Sequence, residues 1–361
     1  MKIASVETFP ITVPLVKPIK MSHITIEQSN NVLVKVTADD GTVGWGEGVE
    51  ATDLTGETQT RIRDGIDFIG PKLIGEDPLK RTQLWFAMQK MIYGNHTAIG
   101  AIDIALHDLA GRHYGVAVSE LIGGANRDFV PGLTMVGSGN PDADAHAAKT
   151  KYAAGFRWFK IKLGIADIET EHEVVQAVVG ALPTDAVICG DANQGWTEPQ
   201  AVGFLKRLDG LPIRFIEQPI PQGDHAAMVR VAQQSPIPIC ADQSVHSFGD
   251  VMSFGGSGVA GVSLKLVKLG GITGVMRGAA LCDLLGLHIN LAGKIAESSV
   301  AAMANVHCAA AMHRIHYGTS PANQGLSDDV VITRRWPENG GWMVPTEPGL
   351  GVEIDESKLG A

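Results

Sequence analysis

Short apolar segments alternate with helical stretches from about residue 130 onward, and this alternation limits the possible folds more than any other feature of the sequence. The strand candidates are residues 130–136, 158–163, 186–191, 213–217, 237–242, 261–265, 287–291 and 314–317. Helical patterns such as 171–179 and 199–208 lie between them. Eight strands that alternate with helices predict an α/β fold, and they fit a (β/α)8-type barrel better than a doubly wound sheet.

The strands in the middle of this series end in charged residues. Lys162, Asp191, Glu217, Asp242 and Lys265 follow one another at intervals of 29, 26, 25 and 23 residues, which is one strand–helix unit each. The carboxyl ends of barrel strands open at one mouth, where barrel enzymes carry out their chemistry. A single carboxylate in such a place has an alternative role as the N-cap of the next helix. Three carboxylates interleaved with lysines favour a functional site.

Three converging carboxylates repel one another, and a divalent cation would relieve that repulsion. Asp191, Glu217 and Asp242 offer only oxygen ligands, which favours Mg²⁺ or Mn²⁺ over zinc. Asn193, two residues beyond Asp191, could orient a ligand or a metal-bound water. A substrate carboxylate bound to the cation would lose its α-proton more easily, because the cation stabilises the resulting enolate.

Two lysines interrupt the apolar segment 158–163. Side chains alternate along a strand, so Lys160 and Lys162 lie on the same face. An exposed edge strand with a solvated lysine face would explain an isolated Lys-x-Lys pattern equally well. On a buried strand the two charges disfavour each other, which indicates a lysine with a lowered pKa that acts as a base. Lys162 and Lys265 would then approach a substrate from opposite sides, one to remove a proton and the other to return it.

The two ends of the chain differ from its middle. The first 50 residues alternate apolar and polar positions and contain Asp40-Gly41, a hairpin signal, and helical periodicity follows over residues 57–121. The last 35 residues return to short β-like pieces, which we expect to fold back onto the first domain. The predicted domains are therefore 1–125, 126–325 and 326–361.

Composition excludes several classes of function. The net charge of −10 and the pI of about 5.6 argue against nucleic acid or an anionic membrane as a partner. The four cysteines lack Cys-x-x-Cys spacing and are expected to be reduced, as in a cytoplasmic protein. The most apolar helical run, residues 300–312, is too short to span a bilayer, and we identify no targeting segment.

Motifs spread over nearly the whole chain resemble those of the enolase superfamily, and within it the muconate lactonizing enzyme subgroup. They are Gly44-Trp45-Gly46-Glu47, the 101–111 segment Ala-Ile-Asp-Ile-Ala-Leu-His-Asp-Leu-Ala-Gly, Lys160-Ile161-Lys162, Asp191-Ala192-Asn193, Ile216-Glu217-Gln218-Pro219, Ala241-Asp242-Gln243-Ser244, the 265–271 segment Lys-Leu-Val-Lys-Leu-Gly-Gly and Pro348-Gly349-Leu350-Gly351. The resemblance implies a modified TIM barrel, (β/α)7β, with an α+β capping domain built from both termini. It also implies a homo-oligomer, either a dimer or an octamer.

The resemblance further implies roles for single residues. One Mg²⁺ would be held by Asp191, Glu217 and Asp242, Lys162 and Lys265 would be the acid and base, and Lys160 would act through its charge. Capping-domain loops at 18–27 and 49–57 would close over a small carboxylate substrate. The candidate substrate-binding residues are His23, Thr55, Asn193, Lys268, Lys294, Glu297 and His316.

Departures from the subgroup's pattern limit the functional prediction. Gln243 stands where a Glu is usual, and Lys294 could pair with Glu297 or recognise a second substrate anion. Dipeptide epimerases carry Asp-x-Asp at the end of the eighth strand to hold a free ammonium group, whereas this chain has His316-Tyr317-Gly318. His288 is too early in its strand to replace the catalytic histidine of mandelate-racemase-like members.

The first hypothesis is an Mg²⁺-dependent isomerase that removes and returns the proton α to a carboxylate, and so racemises or epimerises an N-substituted amino acid or a related small acid. A muconate-type lactone cycloisomerase and an acid-sugar or hydroxy acid dehydratase are alternatives that share the enolate intermediate. A catalytically idle barrel with a binding or structural role is the alternative from another class. It predicts that a ligand or a lysine has been lost, and none is missing from this sequence.

Overall fold

The computed structural model describes residues 1–20 and 24–359. Its amino-terminal part is an antiparallel sheet of β1 (Ile3–Lys20), β2 (Thr25–Ala38) and β3 (Val43–Gly48). The predicted hairpin turn at Asp40-Gly41 is confirmed, because it joins β2 to β3. Residues 18–27 were expected to form a loop, but β1 and β2 extend into this segment and Lys20 pairs with Thr25.

Helices cover this sheet. They are α1 (Gln59–Ile69), α2 (Arg81–Met91), α3 (His96–Tyr114) and α4 (Val118–Leu121), with a 3-10 turn at Gly70–Lys72. Residues 97–111 of α3 are buried on every side, which is typical of a helix enclosed by other elements. One side of α3 packs on β2 and β3, and another packs on two helices of the barrel, α10 (Leu266–Leu269) and α11 (Gly271–Leu285). Helix α3 therefore fixes the amino-terminal unit against the barrel.

A parallel sheet of eight strands forms the barrel within the described residues. Its strands are β5 (Leu133–Val136), β6 (Trp158–Lys162), β7 (Val187–Asp191), β8 (Ile213–Glu217), β9 (Ile239–Ala241), β10 (Gly261–Leu264), β11 (His288–Ala292) and β12 (Thr319–Ser320). The helices between them are α5 (Pro141–Ala153), α6 (Ile168–Ala181), α7 (Glu198–Arg207), α8 (His225–Gln234), α9 (Phe248–Phe254), α10 (Leu266–Leu269), α11 (Gly271–Leu285) and α12 (Ser299–Ala311). The predicted modified barrel with a capping domain is confirmed.

Two of the predicted barrel strands need correction. Segment 130–136 is two strands, and the first of them, β4 (Phe129–Pro131), pairs outside the barrel with β13 (Gly341–Met343). The eighth strand is Thr319–Ser320 and not residues 314–317. Tyr317 lies below this strand, where its ring stacks on Phe215 with centroids 4.0 Å apart. The ring of Tyr317 packs in this apolar contact, and an aromatic residue at this position made residues 314–317 resemble a buried strand in the sequence.

The carboxyl-terminal segment contacts the amino-terminal unit at several points. Leu326 forms a bridge to Leu15, and the Leu350 N–H donates to Asp108 Oδ1 at 2.8 Å. Two 3-10 turns, Asn323–Gly325 and Glu356–Lys358, belong to this region. The domain boundaries at 125 and 325 remain predictions. None of the helices in the described ranges is both long and apolar enough to cross a membrane.

Candidate active site

The ends of neighbouring barrel strands place three charged side chains in one row. In the register of the sheet Lys162 lies beside Asp191, and Asp191 lies beside Glu217. Along β6, Phe159 and Ile161 are buried in the main hydrophobic core, whereas Lys160 and Lys162 point to the barrel interior and line its cavity. The alternation along the strand thus delivers both lysines to the mouth.

Each of the three carboxylates is paired with a lysine. Lys162 Nζ lies 2.7 Å from Asp191 Oδ2, Lys265 Nζ lies 2.7 Å from Asp242 Oδ2, and Lys160 donates to Glu217 Oε2. Asp191, Glu217 and Asp242 are each at most 3% exposed. Buried charges in such number require partners, and here the lysines are the counterions.

The pairing sets the protonation of the lysines. Burial lowers the pKa of Lys160, but the Glu217 and Asp191 carboxylates outweigh it and raise this pKa above its ordinary value. Burial likewise lowers the pKa of Lys265, and Asp242 and Glu217 raise it overall. The sequence indicated a lowered pKa for the base beside Lys160, and the raised pKa values of Lys160 and Lys265 do not test that expectation. Both rises follow from the carboxylate that each ammonium group is hydrogen-bonded to, because that carboxylate stabilises the charged form of the lysine.

The carboxylates also influence one another. Burial raises the pKa of Glu217, Lys160 counteracts it, and the charges of Asp191 and Asp242 raise the pKa further. This mutual repulsion, together with an oxygen-only donor set, fits a divalent cation. In the described ranges, no three His, Cys, Asp or Glu side chains stand in a group that could hold a metal ion as they are now oriented.

Several side chains that position the carboxylates were missed by the sequence analysis. Ser263 Oγ donates to Glu217 Oε1 at 2.6 Å, and Asn290 Nδ2 donates to both oxygens of Glu217 at 3.2 and 3.3 Å. Gln218 Oε1 accepts the backbone N–H groups of Asp242 and Ser244. Polar residues at inward positions of buried strands were the available signal for Ser263 and Asn290.

Two of the predicted substrate-binding residues lie close to the lysines. Asn193 Oδ1 accepts from Lys162 Nζ at 2.8 Å, and its backbone N–H donates to Asp191 Oδ1 in a left-handed turn with φ of 42°. Lys268 is completely buried, and its ammonium donates to the Asp242 carboxylate, to the Asp242 carbonyl and to the Ser263 carbonyl. Lys268 was expected to contact the substrate, but its hydrogen bonds show that it positions Asp242.

Lys294 and Glu297 are both buried but do not pair through their side chains. Lys294 Nζ lies 2.7 Å from Asp53 Oδ1, so the predicted alternative of a Lys294–Glu297 ion pair is wrong. Glu297 instead accepts from the backbone N–H groups of Lys294 and Ala322. Burial raises the pKa of Glu297 to about 8, so its proton is retained near neutral pH.

The remaining candidates lie elsewhere. Thr55 donates to the Ala51 carbonyl at 3.3 Å, and its neighbours Asp53 and Leu54 line the mouth instead. His316 was expected at the carboxyl end of the eighth strand, but it lies at the amino end, stacked on His288 with ring centroids 4.4 Å apart. The error follows from the misplaced strand. His23 lies outside the described residues.

The mouth encloses a cavity of about 60 Å³. Four lysines line it, namely Lys160, Lys162, Lys265 and Lys294. Its wall at the eighth strand is Ser320-Pro321-Ala322, which carries no carboxylate. At the corrected end of the eighth strand, β12, the lining residues therefore also offer no pair of acidic side chains that could bind a free ammonium group.

The fold and this arrangement of strand ends can be compared with known families. The family model of the mandelate racemase / muconate lactonizing enzyme N-terminal domain matches residues 3–123, and the enolase C-terminal domain-like model matches residues 143–358. The chain belongs to this family. A chloromuconate cycloisomerase of Cupriavidus necator is 32% identical over 366 residues, which cover 99% of this chain and 98% of that protein.

Solved structures of family members superpose on nearly the whole chain. The N-succinyl Arg/Lys racemase of Bacillus cereus has a TM-score of 0.94 at 28% identity, with 99% of this chain and 97% of the racemase covered. A dipeptide epimerase of Enterococcus faecalis, complexed with Mg and the dipeptide L-Leu-L-Tyr, has a TM-score of 0.93 at 29% identity, with 98% and 100% covered. The chain is thus an isomerase of the enolase superfamily.

Proposed function

We propose that this isomerase removes and returns the proton α to a carboxylate, with Mg²⁺ as its cofactor, and that it racemises or epimerises an N-substituted amino acid or a related small acid. The observation that carries the proposal is the placement of the lysines. Lys162 ends β6 and Lys265 follows β10, four strands away in the eight-stranded sheet. In a barrel of eight strands, that separation puts them on opposite sides of the cavity.

Asp191, Glu217 and Asp242 would hold the Mg²⁺, which when bound would stabilise negative charge on the substrate carboxylate as the α-proton leaves. Lys162, in its neutral form, would take the proton from one face, and Lys265 would deliver one to the other. Asn193 keeps the Lys162 ammonium in place through its 2.8 Å hydrogen bond. Lys160, bonded to Glu217, would contribute positive charge beside the developing enolate.

Lactone cycloisomerisation is the second candidate, because the 32% identical relative is a chloromuconate cycloisomerase. Ring closure and opening pass through the same kind of enolate, but they need a proton on one face only. The two reactions therefore differ in how many lysines must act. Elimination from the enolate, as in a dehydratase, would also need proton removal from one face.

The test follows α-proton exchange in D₂O by NMR, with N-acylated amino acids, dipeptides and muconolactone-type acids as substrates. We expect exchange of both enantiomers in the presence of Mg²⁺, loss of exchange after chelation, and recovery when Mg²⁺ is added back. Exchange of one enantiomer only would favour cycloisomerisation or elimination.

Lysine variants then assign the bases. Lys162→Met and Lys265→Met preserve side-chain volume, and each should lose exchange of one enantiomer, the opposite one in each case, by about 10²- to 10⁴-fold. Lys149→Met, at an exposed position on α5, is the matched control. Parental exchange of both enantiomers in both variants would show that these lysines are not the bases.

A further inference from the structure

A buried ion pair joins the capping domain to the barrel at the mouth. Asp53 belongs to the capping loop, residues 49–57, and Lys294 follows β11. Their charged atoms are 2.7 Å apart, and the side chains are only 9% and 6% exposed. Exposed ion pairs contribute little to stability, but a pair this deeply buried ties the two segments together.

The pair separates two cavities. Asp53, Lys294 and Ile295 line the inner cavity of about 60 Å³ and also an outer one of about 350 Å³. The inner cavity has room for only a few water molecules. Lys294 lines the inner cavity together with Lys162 and Lys265, so a substrate held between those two lysines lies within reach of Lys294.

The Lys294 ammonium has unused capacity to donate hydrogen bonds. An ammonium group has three N–H donors. Among the described residues Lys268 uses its donors on Asp242 and Ser263 oxygens, whereas the bond found for Lys294 is to Asp53 Oδ1. Lys294 can therefore bind a further oxygen anion from the cavity.

The charge around the cavity also calls for another anion. The lysines that line it are Lys160, Lys162, Lys265 and Lys294, and the carboxylates that line it are Asp53, Asp191 and Glu217. Behind the lining, Lys268 and Asp242 pair with each other. Positive groups outnumber negative ones by one, and a divalent cation would increase the excess. A substrate with two anionic groups balances such a site better than a substrate with one.

We infer that Lys294 is the docking point for a second anionic group of the substrate, and that Asp53 is the anion that occupies this ammonium until the substrate arrives. The inference rests on the proposed function, because the first carboxylate is the one beside the abstracted proton. The substrate class becomes a small acid with a second, distal anionic group, such as an N-carboxyacyl amino acid. Asp53 then favours dianionic substrates by excluding ligands that cannot replace it.

The test compares two ligands that differ only in the distal charge, an N-acetyl and an N-succinyl derivative of the same amino acid, each with Mg²⁺ present. Calorimetry gives the dissociation constants, and NMR gives α-proton exchange. We expect the wild-type protein to bind the N-succinyl ligand at least about tenfold more tightly than the N-acetyl ligand. Lys294→Gln should abolish this preference, because it weakens binding of the dianionic N-succinyl ligand and leaves binding of the N-acetyl ligand unchanged. Asp53→Asn should strengthen binding of the N-succinyl ligand.

Two further variants keep the test decisive. Lys294→Gln leaves the Asp53 charge buried, so the neutral pair Asp53→Asn/Lys294→Gln checks that a lost preference is not a folding defect. Lys149→Gln removes an exposed lysine charge and should retain the preference. A preference for the dianion that survives Lys294→Gln, or no preference in the wild-type protein, would overturn the inference. Preference that depends on Lys294 without any α-proton exchange would support the docking site and refute the proposed reaction.

Discussion

A single buried carboxylate outside the mouth holds three parts of the chain together. Asp108 of α3 is inaccessible to solvent, and its Oδ2 accepts from the Trp45 N–H of β3 and from Arg112 Nε, both at 2.9 Å. Its Oδ1 accepts from the Leu350 N–H at 2.8 Å. The same side chain therefore satisfies a strand, its own helix and the carboxyl-terminal segment.

Removal of this carboxylate should be severely destabilising. Asp108→Ala leaves two buried backbone N–H groups and a guanidinium without their acceptor, so we expect the free energy of unfolding to fall by about 3–5 kcal/mol. Urea titration followed by circular dichroism measures the change. Asp64→Ala, at an exposed position in α1, is the control and should change stability by less than about 0.5 kcal/mol. A loss below about 1 kcal/mol in Asp108→Ala would contradict the anchoring role.

The residues that the sequence could locate are those whose positions depend on strand periodicity alone. Asp191 and Glu217 end buried strands one unit apart, so the register of the sheet brings them together as expected. The Asp53–Lys294 pair was not predictable, since it depends on the path of a capping loop far away in sequence. His316 was misplaced because residues 314–317, which precede the two-residue strand Thr319–Ser320, were taken for the strand itself.

At the scale of elements, β3 lies in close backbone contact with α3. The strand carries Gly44 and Gly46 on the side that faces the helix backbone. A Cβ at Gly46 would lie 2.0 Å from the Ala101 carbonyl oxygen and 2.7 Å from the Ala105 nitrogen, and one at Gly44 would lie 2.2 Å from the Ala105 oxygen. The Gly-x-Gly pattern thus lets the strand lie directly on the helix.

A methyl group at this contact should separate the two elements. Gly46→Ala places a carbon against backbone atoms that cannot rotate away, so we expect a loss of about 1–3 kcal/mol or more in the free energy of unfolding. Gly203→Ala is the matched control. It lies at an exposed helical position of α7 with no atom within 4 Å of the added carbon, and it should stabilise the protein by about 0.5–1 kcal/mol. Thermal unfolding measures the melting temperatures of both variants. A change of the same sign in Gly46→Ala and Gly203→Ala would contradict the close contact of β3 with α3.

Element order was predictable from the sequence because helical and strand periods differ clearly along the barrel. The boundaries of the elements were less predictable, as β4 illustrates. Residues 130–136 were predicted as one strand, but Gly132 interrupts the apolar run, and β4 leaves the barrel to pair with β13 near the carboxyl terminus. Pairing with a strand more than 200 residues away leaves no local signal.

At the scale of the whole molecule, the carboxyl-terminal segment is fixed to the barrel by a neutral histidine. His307 of α12 accepts from the Ser119 N–H through Nδ1 at 3.3 Å, and its Nε2 lies 3.2 Å from the Leu350 carbonyl oxygen. This tautomer needs the Nε2 proton and an unprotonated Nδ1. Burial lowers the pKa of His307 from 6.5 to about 4, against the opposing effect of the Leu350 carbonyl.

The lowered pKa predicts a loss of stability in acid. The unfolded chain protonates His307 below pH 6.5, but the folded chain does not until about pH 4. Its contribution is therefore complete above pH 6.5 and falls by about 1.4 kcal/mol per pH unit between these values, to a total of about 3 kcal/mol. Urea unfolding of wild type and His307→Gln at pH 8, 6.5, 5.5 and 4.5 isolates this residue, because other titrating groups are common to both. We expect the gap between the two proteins to shrink as the pH falls, and an equal gap at every pH would show that His307 is not held neutral by the fold.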